Sequence, residues 1–167
     1  MNRSVSLFYR DGIRATGIDR VIAESGVAKL TFYRQFASKD DLIRAFLEFR
    51  HERWMAWFTD ALARHGGDAR ALVPTLREWF ERADFRGCAF LNSVGELGGA
   101  MPDVVEIARS HKADMTQAIA AALPASRRRA KLAQAVDGAI VQAQFSGEAK
   151  GPLAALGLVL KALVATE

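Results

Sequence analysis

Residues 16–39 read TGIDRVIAESGVAKLTFYRQFASK, and this stretch decides the fold. Its apolar residues fall into two short segments, Val21 and Ile22 in the first, Phe32 and Phe36 in the second. Phe32 and Phe36, four apart, share one helical face. Gly26 between the segments suits the left-handed turn that ends a helix. Thr16 is placed to cap the first segment, and Asp19, three residues on, favours its free N–H groups. Ser38 with Asp41 forms a capping-box variant for a third, longer helix. Two short helices joined by a tight turn, the second basic and rich in hydroxyls, predict a helix-turn-helix whose second helix enters the major groove of DNA.

With Phe32 and Phe36 turned inward, Lys29, Leu30, Thr31, Tyr33 and Arg34 are left to cover the outer surface. Lys29 can donate to guanine edges, Thr31 can donate or accept, and Leu30 can touch a thymine methyl. Tyr33 and Lys39 suit phosphate oxygens, Lys39 helped by the N–H groups that open the following helix. The same spacing also describes an amphipathic surface helix with an ordinary solvated face, so spacing alone leaves both readings open.

Outward from this stretch the pattern is helical almost throughout, which predicts an all-α chain of about nine helices. A short first helix runs through Val5, Leu7 and Phe8 to Asp11-Gly12. The reading helix covers about 28–35, and the helix capped by Ser38 reaches about Arg64. Further helices are expected at about 69–84, 87–97, 102–122, 127–146 and 151–165. The clearest joint is His65-Gly66-Gly67-Asp68. The expected division is a helix-turn-helix DNA-binding domain over 1–48 and a helical effector-binding and dimerisation domain over 49–167.

The chain has 167 residues, half of them hydrophobic, enough for a substantial core. Its formal net charge is +4. Residues 1–60 carry ten Lys and Arg against eight Asp and Glu, the rest thirteen against eleven, so each part holds +2. Charge therefore does not single out one end as the nucleic-acid partner. Apolar runs stop short of the roughly 20 residues of a bilayer span, and no basic-then-apolar leader opens the sequence. A single cysteine, Cys88, excludes an internal disulfide. These features point to the cytoplasm. The sequence contains no HExxH, GxxxxGK or GxSxG pattern, and His51, His65 and His111 are scattered. Neither catalysis nor a metal or other cofactor is expected.

At GVAKLTFYRQFASKDDLIRAF (26–46), and upstream at LFYRDGIRATGIDRVI (7–22), the chain resembles the TetR family of bacterial transcriptional regulators. The resemblance implies that Lys29, Leu30 and Thr31 face bases. It also implies that Thr16, Tyr33, Gln35 and Lys39 face the phosphate backbone. Ala28 stands where many members have Ser or Thr, so one capping and phosphate contact is expected to be missing. Members also usually carry a basic arm and more helix before the Leu-Phe pair, where here six residues precede Leu7. The alternative expectation is thus a helical small-molecule-binding dimer whose shortened head has lost specific DNA binding.

RGCAFLNSVGEL (86–97) and ARSHK (108–112) resemble the C-terminal domains of the same family. That implies an effector cavity and a dimer interface built from the last two helices. Trp54, Phe58 and Leu62 lie on one stripe, and Trp79, Phe80, Phe85, Phe90 and Leu91 add apolar bulk, which also describes ordinary core. Asn92, Glu96, His111 and Gln142 are candidates to orient a small, mostly hydrophobic effector. Ala135, Gly138, Ala139 and Gln142 supply small and polar positions for a close helix contact. Leu153, Leu156, Leu160 and Leu163 would leave apolar surface wet on a monomer. A homodimer reading a palindromic double-stranded operator follows. The expected function is a ligand-responsive transcriptional regulator, a repressor released by its effector. Arg127-Arg128-Arg129 with Lys131 is the densest charge run, read as a solvated face, and Cys88 as a small packed residue.

Overall fold

The computed structural model describes residues 2–122 and 129–164, with side chains over 6–122 and 131–163. Among these residues every regular element is helical. The helices are α1 (Asn2–Asp11), α2 (Ile18–Ser25), α3 (Lys29–Gln35), α4 (Lys39–Arg64), α5 (Leu72–Phe80), α6 (Ala89–Leu97), α7 (Pro102–Ala121), α8 (Arg129–Ser146) and α9 (Lys150–Val164). The expected helix at 69–84 is shorter than its sequence pattern. It enters through a 3-10 turn at Ala69–Ala71, where Asp68 accepts a hydrogen bond from the Arg70 N–H at 2.8 Å. It ends at Phe80. Arg127 and Arg128 of the basic run lie outside the described residues, as does the side chain of Arg129.

The chain divides into two compact units, Met1–Glu52 with Ala89–Arg109, and Arg53–Cys88 with Ser110–Glu167. The first unit therefore holds α6 and the opening turns of α7 as well as the head. Its core gathers Leu7 and Phe8 of α1, Ile13, Val21 and Ile22 of α2, Phe32 of α3, and Leu42, Ile43, Phe46 and Leu47 of α4. Phe8 meets Phe46 edge to face at 5.5 Å between ring centres. Burying such side chains is the main driving force for a head this small. Polar clasps fix the turns around it. The Glu96 carboxylate accepts from the Arg14 N–H at 2.7 Å, while the Arg14 guanidinium donates to the Glu96 carbonyl at 2.6 Å. Arg44 pairs with Asp103, and the guanidinium holds that carboxyl below the usual carboxylate range.

In the second unit, α8 and α9 pack as a helical hairpin and α5 packs on α9. Leu132, Val136, Ile140, Leu153, Leu156 and Leu160 are buried there. The joint after α4 is made by Gly66 and Gly67, both at positive φ, 109° and 71°, a backbone that side chains rarely adopt. Arg64 makes a two-pronged salt bridge to Glu78 at 3.0 Å, and the His65 ring lies 2.6 Å from the same carboxylate. These partners lower the Glu78 carboxyl to about 2. Cys88 is buried, in keeping with a packed residue.

Candidate functional site

The reading element is built as its sequence suggests. α2 ends at Gly26, whose φ of 68° is left-handed. Ser25 tightens the turn, donating to the Ile22 carbonyl at 2.7 Å and accepting from the Val27 N–H at 3.1 Å. α3 then starts at Lys29 from Ala28, which supplies no side-chain cap. This matches the departure from Ser or Thr at that position. Phe32 is buried and touches Phe36 at 5.6 Å between ring centres, with Phe36 half-buried. Everything else on α3 is exposed: Lys29, Leu30, Thr31, Tyr33, Arg34 and Gln35. Leu30, at 67 % exposure, has no packing role to explain it. A seven-residue helix that buries one side chain and presents six is held by its support and offers its outer face.

The contacts on that face differ from residue to residue. Lys29 lies 3.2 Å from Asp19 across the turn, and that carboxylate holds its ammonium pKa above the ordinary value. Ser38 caps α4 by accepting from the Asp41 N–H at 3.0 Å. Its hydroxyl donates to the Asp41 carboxylate at 2.8 Å, a variation on the reciprocal box. Lys39 is half-buried and donates to the Ile13 carbonyl at 2.8 Å. Thr16 is a correction to its expected capping role. The N-cap of α2 is Gly17, with no side-chain cap bond. Thr16 is fully buried, and its hydroxyl donates to the Gly12 carbonyl at 2.6 Å. Sequence spacing put an oxygen near the helix start; the preceding turn captured it. The position of Asp19 at the start of α2 gives no sign of its contact to Lys29, which crosses a turn.

An exposed basic helix following a glycine turn, on a compact helical support, defines a helix-turn-helix DNA-binding head. Residues 1–46 match the family described as bacterial regulatory proteins, tetR family. Over nearly its whole length the chain is also similar to solved regulators. One is a TetR-family transcriptional regulator from Streptomyces coelicolor, 29 % identical, with a TM-score of 0.78, covering 96 % of this chain and 91 % of that one. Another is a TetR-type transcriptional regulator from Streptomyces avermitilis, 26 % identical, with a TM-score of 0.73, covering 96 % and 93 %. The fold is shared with the TetR family transcriptional regulator CifR, solved with 26-base-pair double-strand operator DNA, at 22 % identity and a TM-score of 0.67, covering 96 % and 93 %. The head carries the sequence of that family, and nearly the whole chain is similar in fold to TetR-family transcriptional regulators. Proteins of this kind work by binding DNA and not by catalysis. No helix among the described residues is long and apolar enough to cross a membrane.

The expected effector-site residues separate between the two units. Phe90 and Asn92 belong to the first, buried and half-buried respectively. Glu96, in the same unit, is engaged with Arg14. In the second unit Trp54 stacks on Phe58 at 4.6 Å and meets Trp79 at 5.4 Å and the His111 ring at 5.2 Å. Trp79 meets Phe85 at 5.3 Å, and Phe85 meets Phe80 at 5.1 Å. Leu62 is buried and Gln142 is exposed. Trp57, which the sequence stripe did not single out, joins the network against Trp79 at 6.3 Å.

The expected dimer residues are likewise spread over different environments. Leu153, Leu156, Leu160 and Ala139 are buried within the chain, Leu163 and Ala135 are half-buried, and Gly138 and Gln142 are exposed. The large apolar side chains left in solvent on α8 and α9 are Phe145, Leu158 and Val159, exposed by 79 %, 68 % and 39 %.

Proposed function

We propose that this chain is a ligand-responsive repressor that holds a palindromic operator as a homodimer and lets go when a small hydrophobic effector binds. The observation that carries the DNA part is the outer face of α3. Its base-facing triplet Lys29, Leu30 and Thr31 is exposed, with Tyr33 and Gln35 beside it and Lys39 at the start of the next helix. Lys39 and Thr16 serve through the support of the turn, since Lys39 binds the Ile13 carbonyl and Thr16 the Gly12 carbonyl. The operator-bound relative CifR supports the DNA partner by fold alone. The dimer is supported by Phe145, Leu158 and Val159, apolar side chains that a lone chain would leave in water. A two-fold axis through that face pairs two reading helices, as a palindrome requires. The effector is supported by the aromatic network around Trp54, and such a regulator acts in the cytoplasm. Release requires that the effector bind the two states of the dimer with different affinity.

The test is a titration of purified protein against the DNA upstream of its own gene at several salt concentrations. Specific binding that falls steeply with salt, and that weakens in Lys29→Ala and Tyr33→Phe, is the expected result. Affinity no tighter than for random DNA would sink the repressor reading.

A further inference from the structure

The aromatic network holds two polar atoms that the fold leaves unused. The Trp54 indole nitrogen and the Thr75 hydroxyl are both buried and have no hydrogen-bond partner. Thr75 is wholly inaccessible, on α5, one helical turn before Trp79. Side chains on a helix lean toward its N-terminus, so Trp79 sits over the turn that carries Thr75. Trp79 in turn meets Trp54. Trp79 thus links the two unused groups, Thr75 by helical spacing and Trp54 by ring contact, and Phe58 and the His111 ring flank Trp54.

Thr75 is unlike the other hydroxyls on these helices. Thr59 donates to the Met55 carbonyl at 2.9 Å, Thr116 to Lys112 at 2.7 Å and Ser93 to Ala89 at 2.7 Å, each four residues back. That bond is the default for a buried helical hydroxyl. Thr75 does not take it. A buried polar group without a partner destabilises the fold, and each of these two marks a place where a partner is missing.

We infer that Trp54 and Thr75 are the polar contacts of the effector site, and that its ligand is a flat, uncharged, mainly aromatic molecule carrying a carbonyl or ether oxygen. The indole N–H only donates, so its partner must accept. The hydroxyl can donate to a ligand oxygen as well. The flanking rings favour a planar ligand stacked or set edge-on among them. An uncharged ligand is favoured over a carboxylate, because burying a charge among aromatic carbon is unfavourable. This inference rests on the effector-responsive reading and gives it a chemical class.

The experiment uses two probes of nearly one shape, 9-fluorenone with a carbonyl and fluorene without it. Binding to the purified protein is followed by tryptophan quenching and by thermal shift, and release is followed on the operator complex. The expected result is that fluorenone binds about tenfold more tightly than fluorene, the worth of one to two buried hydrogen bonds. Thr75→Val and Trp54→Phe should each bring the two probes to within about twofold. Thr75→Val should melt no lower than the parent, since its hydroxyl bonds nothing, and this separates lost recognition from lost fold. Equal binding of the two probes, or a carbonyl preference unchanged in both variants, overturns the inference; either is the outcome if ordered water serves these atoms. If the probes bind equally and still release DNA, only the chemical class falls and the effector-responsive reading stands. If neither probe binds, the class falls too, while the salt titration still decides the DNA reading.

Discussion

α3 and the aromatic network around Trp54 solve opposite problems. α3 turns one large side chain inward, Phe32, and leaves its polar and basic groups in solvent. The network turns nearly everything inward, including the Trp54 N–H and the Thr75 hydroxyl, which find no partner in the fold. A surface that binds DNA competes with water at no standing cost. A buried site tolerates unmet polar groups until a ligand meets them. The first kind of site can be read from a motif; the second shows only in the packing.

The largest effects should come from removing the ring that anchors the buried region. Phe58 is fully buried and stacked on Trp54, so Phe58→Ala should lower stability by about 3–5 kcal/mol, measured by urea unfolding. Leu30→Ala on α3 removes an apolar side chain of similar standing in the sequence pattern, yet it is exposed. Its stability should change by no more than about 0.5 kcal/mol, while operator discrimination at thymine positions weakens. Equal destabilisation by the two substitutions would erase the contrast between the regions.

Next in size is the proposed dimer face. Leu158→Asp places a charge on an exposed apolar residue of α9. Sedimentation should show the dimer dissociation constant rising by about thirtyfold or more, as for the loss of a central contact worth about 2 kcal/mol. Leu156→Asp should instead impair folding, because Leu156 is buried in the chain. A variant Leu158→Asp that remains dimeric at low concentration would move the interface elsewhere.

The head's fold was legible because its signals are local. Gly26 and Ser38 act within four residues of their own position, the inward face of Phe32 is set by its helical spacing to Phe36, and the structure uses all of these. What was hidden depends on neighbours far along the chain or on competition within a turn. Thr16 looks like a helix cap, but the Gly12 carbonyl takes its hydroxyl. α9 is apolar on more than one stripe, and only packing against α8 and α5 decides that Leu153, Leu156 and Leu160 go inside while Leu158 and Val159 stay out. The contact of Glu96 to Arg14, 82 residues away, left no mark in the sequence. Thr75 carries no sequence mark at all; its interest lies in a bond it does not make.

On the reading face itself, Lys29→Ala should cost about 1–3 kcal/mol of operator affinity if its ammonium reaches a guanine, with a smaller change on random DNA. Asp19→Asn sharpens this. Asp19 is the carboxylate that raises the Lys29 pKa above its ordinary value, and removing it frees the lysine from a pair 3.2 Å long. Non-specific DNA affinity should then rise, because one negative charge leaves the face, and discrimination between operator and random DNA should fall.

The smallest effect belongs to the joint after α4, and its sign is set by Glu78. Arg64 and the His65 ring hold this carboxyl at about 2, below its ordinary value of 4.5. A depressed carboxyl stabilises the fold while it is ionised, so the contribution is in full above about pH 4.5. It fades as the pH falls toward 2, where the folded protein also takes up the proton. The three side chains are partly exposed, and water screens such pairs. The contribution should therefore be modest. Thermal melts of the parent should show a drop between pH 4.5 and 2 that is shallower in Glu78→Gln, with little difference in operator binding at neutral pH. An unchanged acid slope would show that the Arg64–Glu78 pair is made equally in the unfolded chain, and that the joint is held by its glycines instead.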